Sequence, residues 1–457
     1  MIQVAKKTTL QKYFPQLVAG LGVTMVLVQL GLSSGWSSPY LPKLQHPDSA
    51  LRLTADEASW VASLLNLGRF CGAFCGALSV NYCGTKRTML FNLIPVSMCW
   101  LLTILARDAR WLYAARFSGG LGLGMTYSSF PLYLGEVSFP EIRGSLVSMA
   151  SCGGTFGVML SNIAGKYLAM EVSASIYLAP CLVFIALFWW LPESPHYLIK
   201  RKDFKAAKAS ISWYRADHNV EEEFESVQQF INAAKEQSFT EKLAEFKKPA
   251  IRRATILVIL LWTFMQICGF NNVLFYMVQI LQDSKVNNPE DFAMYVSAAG
   301  VAASTLSIVM IDRCGRRWLL IVSSIGVSIG LAGLGAHFLL LDQEETFPNL
   351  HWLPIISLFV FEIAFFVGLM SVPSAVLSEI FPSNVKCIAA CFASLAGAIA
   401  AFASTRSFQP FIGLMGTSNV FFMHAGITLL IVPYAIIFMP ETKGKTLQQI
   451  QELLTRR

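Results

Sequence analysis

Apolar runs of roughly 20 residues recur along this chain from end to end, and each is long enough to cross a hydrocarbon core about 30 Å thick as one helix. That repetition excludes a single-anchor protein. Composition agrees: of 457 residues, 54% are hydrophobic and 14% charged, against roughly 25% charged in a typical soluble domain. The first run, Gln16 to Trp36, follows Lys6, Lys7 and Lys12, as a secretory leader would. It is longer than a typical h-region of about 7–15 residues and no small-residue cleavage site follows it, so it is taken as a span.

About twelve spans are predicted, from roughly 16–37 to 419–439, giving an all-α membrane protein. Between the sixth and seventh lies one long polar stretch, rich in Lys, Arg and Glu, with helix-like patterning around Phe204–Trp213 and Glu221–Ala234. The predicted organisation is an N-terminal six-helix half over 1–191, a cytoplasmic helical linker over 192–253, and a C-terminal six-helix half with a short tail over 254–457. A net charge of +7 raises the question of nucleic acid, but the basic residues lie in loops between apolar runs, so none is expected as a partner. Lys86/Arg87, Arg143, Lys200–Lys202, Arg313, Arg316, Arg317, Lys386, Lys443 and Lys445 all fall on one side of an even-span model. Positive residues mark the cytoplasmic side, so both termini are expected there, in a multi-pass protein of the plasma membrane. Asp283, Glu290, Asp291, Asp342, Glu344 and Glu345 fall opposite, while Arg107 and Arg110 run against the trend.

Three echoes offset by about 240 residues reveal an internal repeat. Asn81–Gly84 after the second span matches Asp312–Gly315 after the eighth. Glu136 stands seven residues before Arg143, and Glu379 seven before Lys386. Pro192–Pro195 after the sixth span matches Pro440–Thr442 after the twelfth. Two parallel six-helix repeats related by an axis along the membrane normal follow, with a substrate site between them near the midplane. The charged residues at the helix ends (Arg116, Glu136, Arg143, Glu193, Asp312, Arg313, Arg316, Glu379, Lys386 and Glu441) are read as a gating network that pairs when the cytoplasmic ends close. Positive-inside topology with snorkelling is the plainer account of any one of them.

On these residues the chain resembles the sugar porter family of the major facilitator superfamily over nearly its whole length. The carriers are Arg116 with Gly120 and Gly124, Pro131–Ser138, Arg143–Gly144, Pro192–Pro195, Asp312–Arg317 and Pro440–Gly444. Ser34–Pro39 and Glu57–Trp60 look most like its arthropod facilitated trehalose transporter branch. The resemblance implies a major facilitator fold and a sugar held chiefly by the seventh span, here through Gln266, Asn271, Asn272 and Tyr276. Amides offer donors and an acceptor to vicinal hydroxyls, and an aromatic face covers the apolar side of a pyranose. Helix-packing amides are the alternative, though polar side chains within a span are costly.

Departures from the family pattern bear on the substrate. Met265, Ser151, Gly300, Ser374 and Gly397 replace larger or amide side chains of the hexose contact set; the smaller ones at 374 and 397 either enlarge the cavity for a disaccharide or mark a decayed site. Tyr82 and Thr85 stand where the first-half motif usually has basic residues, and His196 replaces an arginine. Ser33 stands where proton-coupled members carry an aspartate, so passive transport is expected; Glu362 is the remaining carboxylate for a coupled alternative. Arg69 is expected to face the cavity, with snorkelling or packing against a carbonyl as the alternative, and Arg406 is either a branch feature or an interface anchor. The predicted function is facilitative transport of a trehalose- or hexose-type sugar; a weakly transporting sugar sensor and a proton symporter are the alternatives. No enzyme is expected, since no catalytic constellation lies in the spans. Cofactors and metals are not expected either: the ten cysteines read as free thiols, with Cys71/Cys75 and Cys387/Cys391 at helical packing spacing.

Overall fold

A backbone crossing lipid must satisfy its own hydrogen bonds, and among the described residues every element is a helix. The computed structural model describes residues 9–215, 219–235, 239–343, 351–445 and 447–456. Lys6, Lys7, Glu344 and Glu345 lie outside them. Eleven described helical segments are long and apolar enough to cross a membrane. The twelfth crossing is α6 (Ala109–Val137), as long as its neighbour α3 (Ala55–Cys83) but diluted by Arg110, Arg116, Glu136 and several glycines.

The first six crossings are α1 (Thr9–Gly35) continued by α2 (Ser37–Gln45), then α3, α4 (Thr85–Phe91) with α5 (Leu93–Ile104), α6, α7 (Pro140–Tyr167) and α8 (Met170–Trp190). Four short helices follow: α9 (Pro195–Lys200), α10 (Phe204–Tyr214), α11 (Val220–Lys235) and α12 (Phe239–Glu245). The second six are α13 (Pro249–Ile267) with α14 (Phe270–Asp283), α15 (Pro289–Cys314), α16 (Arg316–Asp342), α17 (Trp352–Ala364) with α18 (Ser371–Ile380) joined by a π turn over Phe365–Leu369, α19 (Ser383–Met415), and α20 (Thr417–Leu429) with α21 (Ile431–Ile437). Amphipathic α22 (Leu447–Arg456) ends the chain. This is the two-repeat major facilitator architecture. The face carrying the chain ends and α9–α12 is called the terminus side, and its opposite the far side.

The repeat is visible in its turns. Gly84 between α3 and α4 has φ +94°, and Gly315 between α15 and α16 has φ +86°, so each half reverses direction through a conformation that only glycine adopts without strain. Close backbone approach binds α3 to α6: a Cβ on Gly120 would lie 2.2 Å from the Leu65 carbonyl oxygen, and one on Gly124 2.3 Å from that of Arg69. Small residues are how membrane helices pack without a hydrophobic drive. Gly120→Val should therefore abolish the monodisperse detergent-solubilised peak, whereas Gly135→Ala, with nothing within 4 Å, should leave it intact. Equal yields of the two in size-exclusion chromatography would contradict this packing.

Candidate functional site

The seventh crossing is broken near its middle, and the break builds the site. Gln266 stands 17 residues from Pro249 and 17 from Asp283. After it Gly269 takes φ +92°, which ends α13 and starts α14. The break frees carbonyls that α20 satisfies: His424 Nδ1 lies 3.0 Å from the Ile267 oxygen, and Thr428 Oγ1 reaches Cys268 oxygen at 3.5 Å. A carbonyl only accepts, so Nδ1 holds the imidazole proton and Nε2 accepts from Asn272 Nδ2 at 3.1 Å. Asn272 Oδ1 is left buried with no partner among the described residues.

Around this frame the four residues singled out from the sequence come together. Asn271 Nδ2 donates to Gln266 Oε1 at 2.8 Å, and Tyr276 stacks on Phe408 with ring centroids 5.3 Å apart. Trp262 Nε1 is buried without a partner, and its ring lies against Gly397. Phe270 stacks on Phe365 at 3.9 Å, putting aromatic faces beside the amides. Glu362 is 3% exposed, and its carboxyl fills the space over Gly300, where a Cβ would come within 2.9 Å of Oε1. Amide donors and acceptors beside apolar ring faces form a surface suited to a polyol.

Arg116 is not part of the charge network that the sequence suggested. Its guanidinium is 1% exposed and donates to Ser33 oxygen at 2.5 Å, Ser37 Oγ at 3.0 Å and Val61 oxygen at 3.4 Å, with its carbon 5.3 Å from the Trp36 ring. It thus clamps the α1–α2 break, where helix carbonyls lose their partners. No carboxylate makes an ion pair with it among the described residues.

On the terminus side the two halves share one device. Glu193 accepts from the Lys86 backbone N–H at 3.3 Å, and Glu441 from those of Arg316 and Arg317 at 3.0 Å each, so each acid covers the start of the helix after a positive-φ glycine. Burial alone would raise the Glu441 carboxyl; backbone donors from Lys443, Arg316, Arg317 and Thr442 outweigh it and hold the group below the ordinary carboxylate range. Its contribution to stability is full above the ordinary value and lost as pH falls through the lowered one. Glu193 is instead pushed up by burial. Arg316 pairs with Glu379 at 2.8 Å, and Thr85 donates to Glu136 at 2.7 Å. Arg143 is exposed with no acidic partner among the described residues, and Lys386 donates to Ser378 oxygen at 2.7 Å rather than to Glu379. Arg313 offers its carbonyl to Lys443 at 2.6 Å; the Asp312 side chain lies outside the described residues.

Sequence reasoning missed the residues that bolt the linker to the first half. Arg215 pairs with Glu223 and donates to Ser138 oxygen at 3.0 Å, while the Tyr214 and Tyr133 hydroxyls lie 2.9 Å apart. Burial, with Arg215 and Arg143 nearby, lowers His196 to about 4, so it is neutral in cells. The ties across the halves were missed too, and they lie from the middle to the far side. Thr155 meets Ser304 at 3.1 Å and Asn162 donates to Ser297 at 2.8 Å. Lys43 pairs with Glu290 at 3.2 Å, Lys166 with Asp291, and Arg406 with Asp56 at 2.6 Å, its guanidinium 4.7 Å from the Trp60 ring. Partners over 100 residues apart leave no local signal.

Two six-helix repeats closed on one side around a midplane amide and aromatic site define a membrane carrier of the major facilitator class. The profile of the family described as "Sugar (and other) transporter" matches residues 21–454, and the chain belongs to that family. The facilitated trehalose transporter Tret1 of Polypedilum vanderplanki is 28% identical over 460 residues, covering 100% of this chain and 91% of that protein. Tret1 of Drosophila virilis is 29% identical, covering all of this chain but 50% of its own length; the chain thus spans about half of several such relatives. The fold matches the inward open conformation of the xylose transporter XylE from E. coli with TM-score 0.79 at 20% identity, covering 96% of this chain and 99% of that one.

Proposed function

We propose that the protein carries a sugar, a trehalose- or hexose-type substrate, passively across the plasma membrane by alternating access. The observation that carries this reading is the broken seventh crossing, which holds Gln266, Asn271, Asn272 and Tyr276 together at mid-depth within a member of the sugar transporter family. The terminus side is taken as cytoplasmic because Lys86, Arg87, Arg143, Arg313, Arg316, Arg317 and Lys443 gather there. The halves are taken as 1–191 and 254–457 with a linker over 192–253, which holds α9–α12 and whose last residues open α13 at Pro249. Passive transport is supported by Arg116, whose donors end on carbonyls, Ser37 and an indole face, with no carboxylate paired to it among the described residues to carry a proton.

Uptake of labelled glucose, fructose and trehalose into proteoliposomes, with and without a pH gradient, tests this. Equilibration without accumulation is expected. Severalfold accumulation abolished by a protonophore would replace facilitation with coupling and bring in Glu362, while saturable binding without flux would make the protein a sensor.

A further inference from the structure

Arg69 lies at the centre of α3, 14 residues from Ala55 and 14 from Cys83. Its direction follows from the neighbours of that helix. Gly68, Gly72 and Gly76 abut α6, and Ser59 and Asn66 bond to α19. At about 100° per residue, with Asn66 at zero, the glycines cover roughly 200–280° and Arg69 falls near 300°, in the narrow arc between the two contacts. The exposed apolar residues Phe74 and Leu78 fall at about 80° and 120°, on the outer side. Arg69 therefore faces the space between the halves. It makes no hydrogen bond or ion pair with any described residue, and Tyr127 of α6 is its electrostatic neighbour. Tyr127 stands three residues after Gly124, on the same inner face, and is 44% exposed.

A guanidinium stays charged at every accessible pH and is costly at membrane depth without a partner. Arg116, nearer the far side, spends its donors on three protein oxygens and an indole; Arg69 has no such acceptor among the described residues. Glu362, from the other half, does not answer it: that carboxyl has no ion pair among the described residues and lies over Gly300. The space between the halves thus meets a cation without an acceptor among the described residues on the first half and amides on the second. We infer that the transported sugar bears an anionic oxygen group, held by Arg69 in charge-assisted hydrogen bonds while its hydroxyls meet Gln266 and Asn271. This rests on the sugar-transport reading and narrows its substrate class.

The test measures binding and proteoliposome uptake of glucose, trehalose, glucuronate and glucose 6-phosphate by the full chain, beside Arg69→Gln and Arg69→Lys. The wild type is expected to prefer one anionic sugar over glucose by at least about tenfold, the size of one charge-assisted contact. Arg69→Gln should reduce that ratio to near one, and Arg69→Lys should keep part of it. Preference for glucuronate assigns a carboxylate, and preference for glucose 6-phosphate a phosphate. Transport of glucose or trehalose with neither anionic sugar favoured overturns this inference alone, and so does an unchanged ratio in Arg69→Gln. Should Arg69→Gln fail to fold, the wild-type ratio still decides. Absence of binding by all four sugars overturns the sugar reading together with it.

Discussion

Replacing Gln266 and Asn271 together by alanine is expected to raise the half-saturating substrate concentration by about 10- to 100-fold, at unchanged amounts of folded protein. The physical basis is that each amide leaves a substrate hydroxyl unsatisfied when removed, at about 1–3 kcal/mol. Because Asn271 donates to Gln266 at 2.8 Å, the two form one unit, and the double substitution should cost less than the sum of the singles. A double-mutant cycle on substrate affinity measures this. Strict additivity would mean that the amides act on separate groups, and normal uptake by the double variant would move the site elsewhere. Fold is expected to survive because the α13–α14 break is held by Gly269 and by His424 and Thr428, none of which the substitutions touch.

Arg406→Ala is expected to move the protein toward the state open on the far side. Arg406 joins the halves through Asp56 at 2.6 Å and lies over Trp60, contacts that must separate when that side opens. A partly exposed ion pair is worth roughly 0–1 kcal/mol and a cation–π contact about 0.5–1 kcal/mol, so the ratio of the two states should shift by about 2- to 30-fold. Spin-label distances across the far-side ends of α3 and α19, or accessibility of single cysteines there in a background freed of reactive native thiols, read that shift. An unchanged distance distribution would show that Arg406 anchors its helix without taking part in closure. On the terminus side the expectation differs from the one drawn from spacing alone. Arg316–Glu379 lies within the second half and is intact here, while among the described residues Arg143 is unpaired and the buried Glu379 Oε2 has no partner. We hypothesise that closure of this side brings Arg143 to that free oxygen. Loss of uptake in Glu379→Ala with an unchanged conformational balance would sink the idea.

Much was legible in the sequence because its cause is local. Apolar length determines which segments cross lipid, the three echoed motifs determine the twofold repeat, and the cluster from Gln266 to Tyr276 names a polar site inside a span. Even α6 was recoverable despite Arg116, since its length and flanking loops demand a crossing. What only the tertiary structure decided depends on groups distant in the chain meeting at one depth. Arg116 looked like a gate charge, but bending α1 into α2 at Trp36 exposes carbonyls that claim its donors first. His424 gave no signal, yet the carbonyl freed at Gly269 sets its tautomer and thereby the orientation of Asn272. Lys43 and Lys166 gave no signal, and Arg406 read as a branch feature or an interface anchor; only the packing of the halves sets them on Glu290, Asp291 and Asp56. Sequence patterns record what a residue needs from its neighbours along the helix; which partner satisfies a buried charge is settled by the packing that brings the two together.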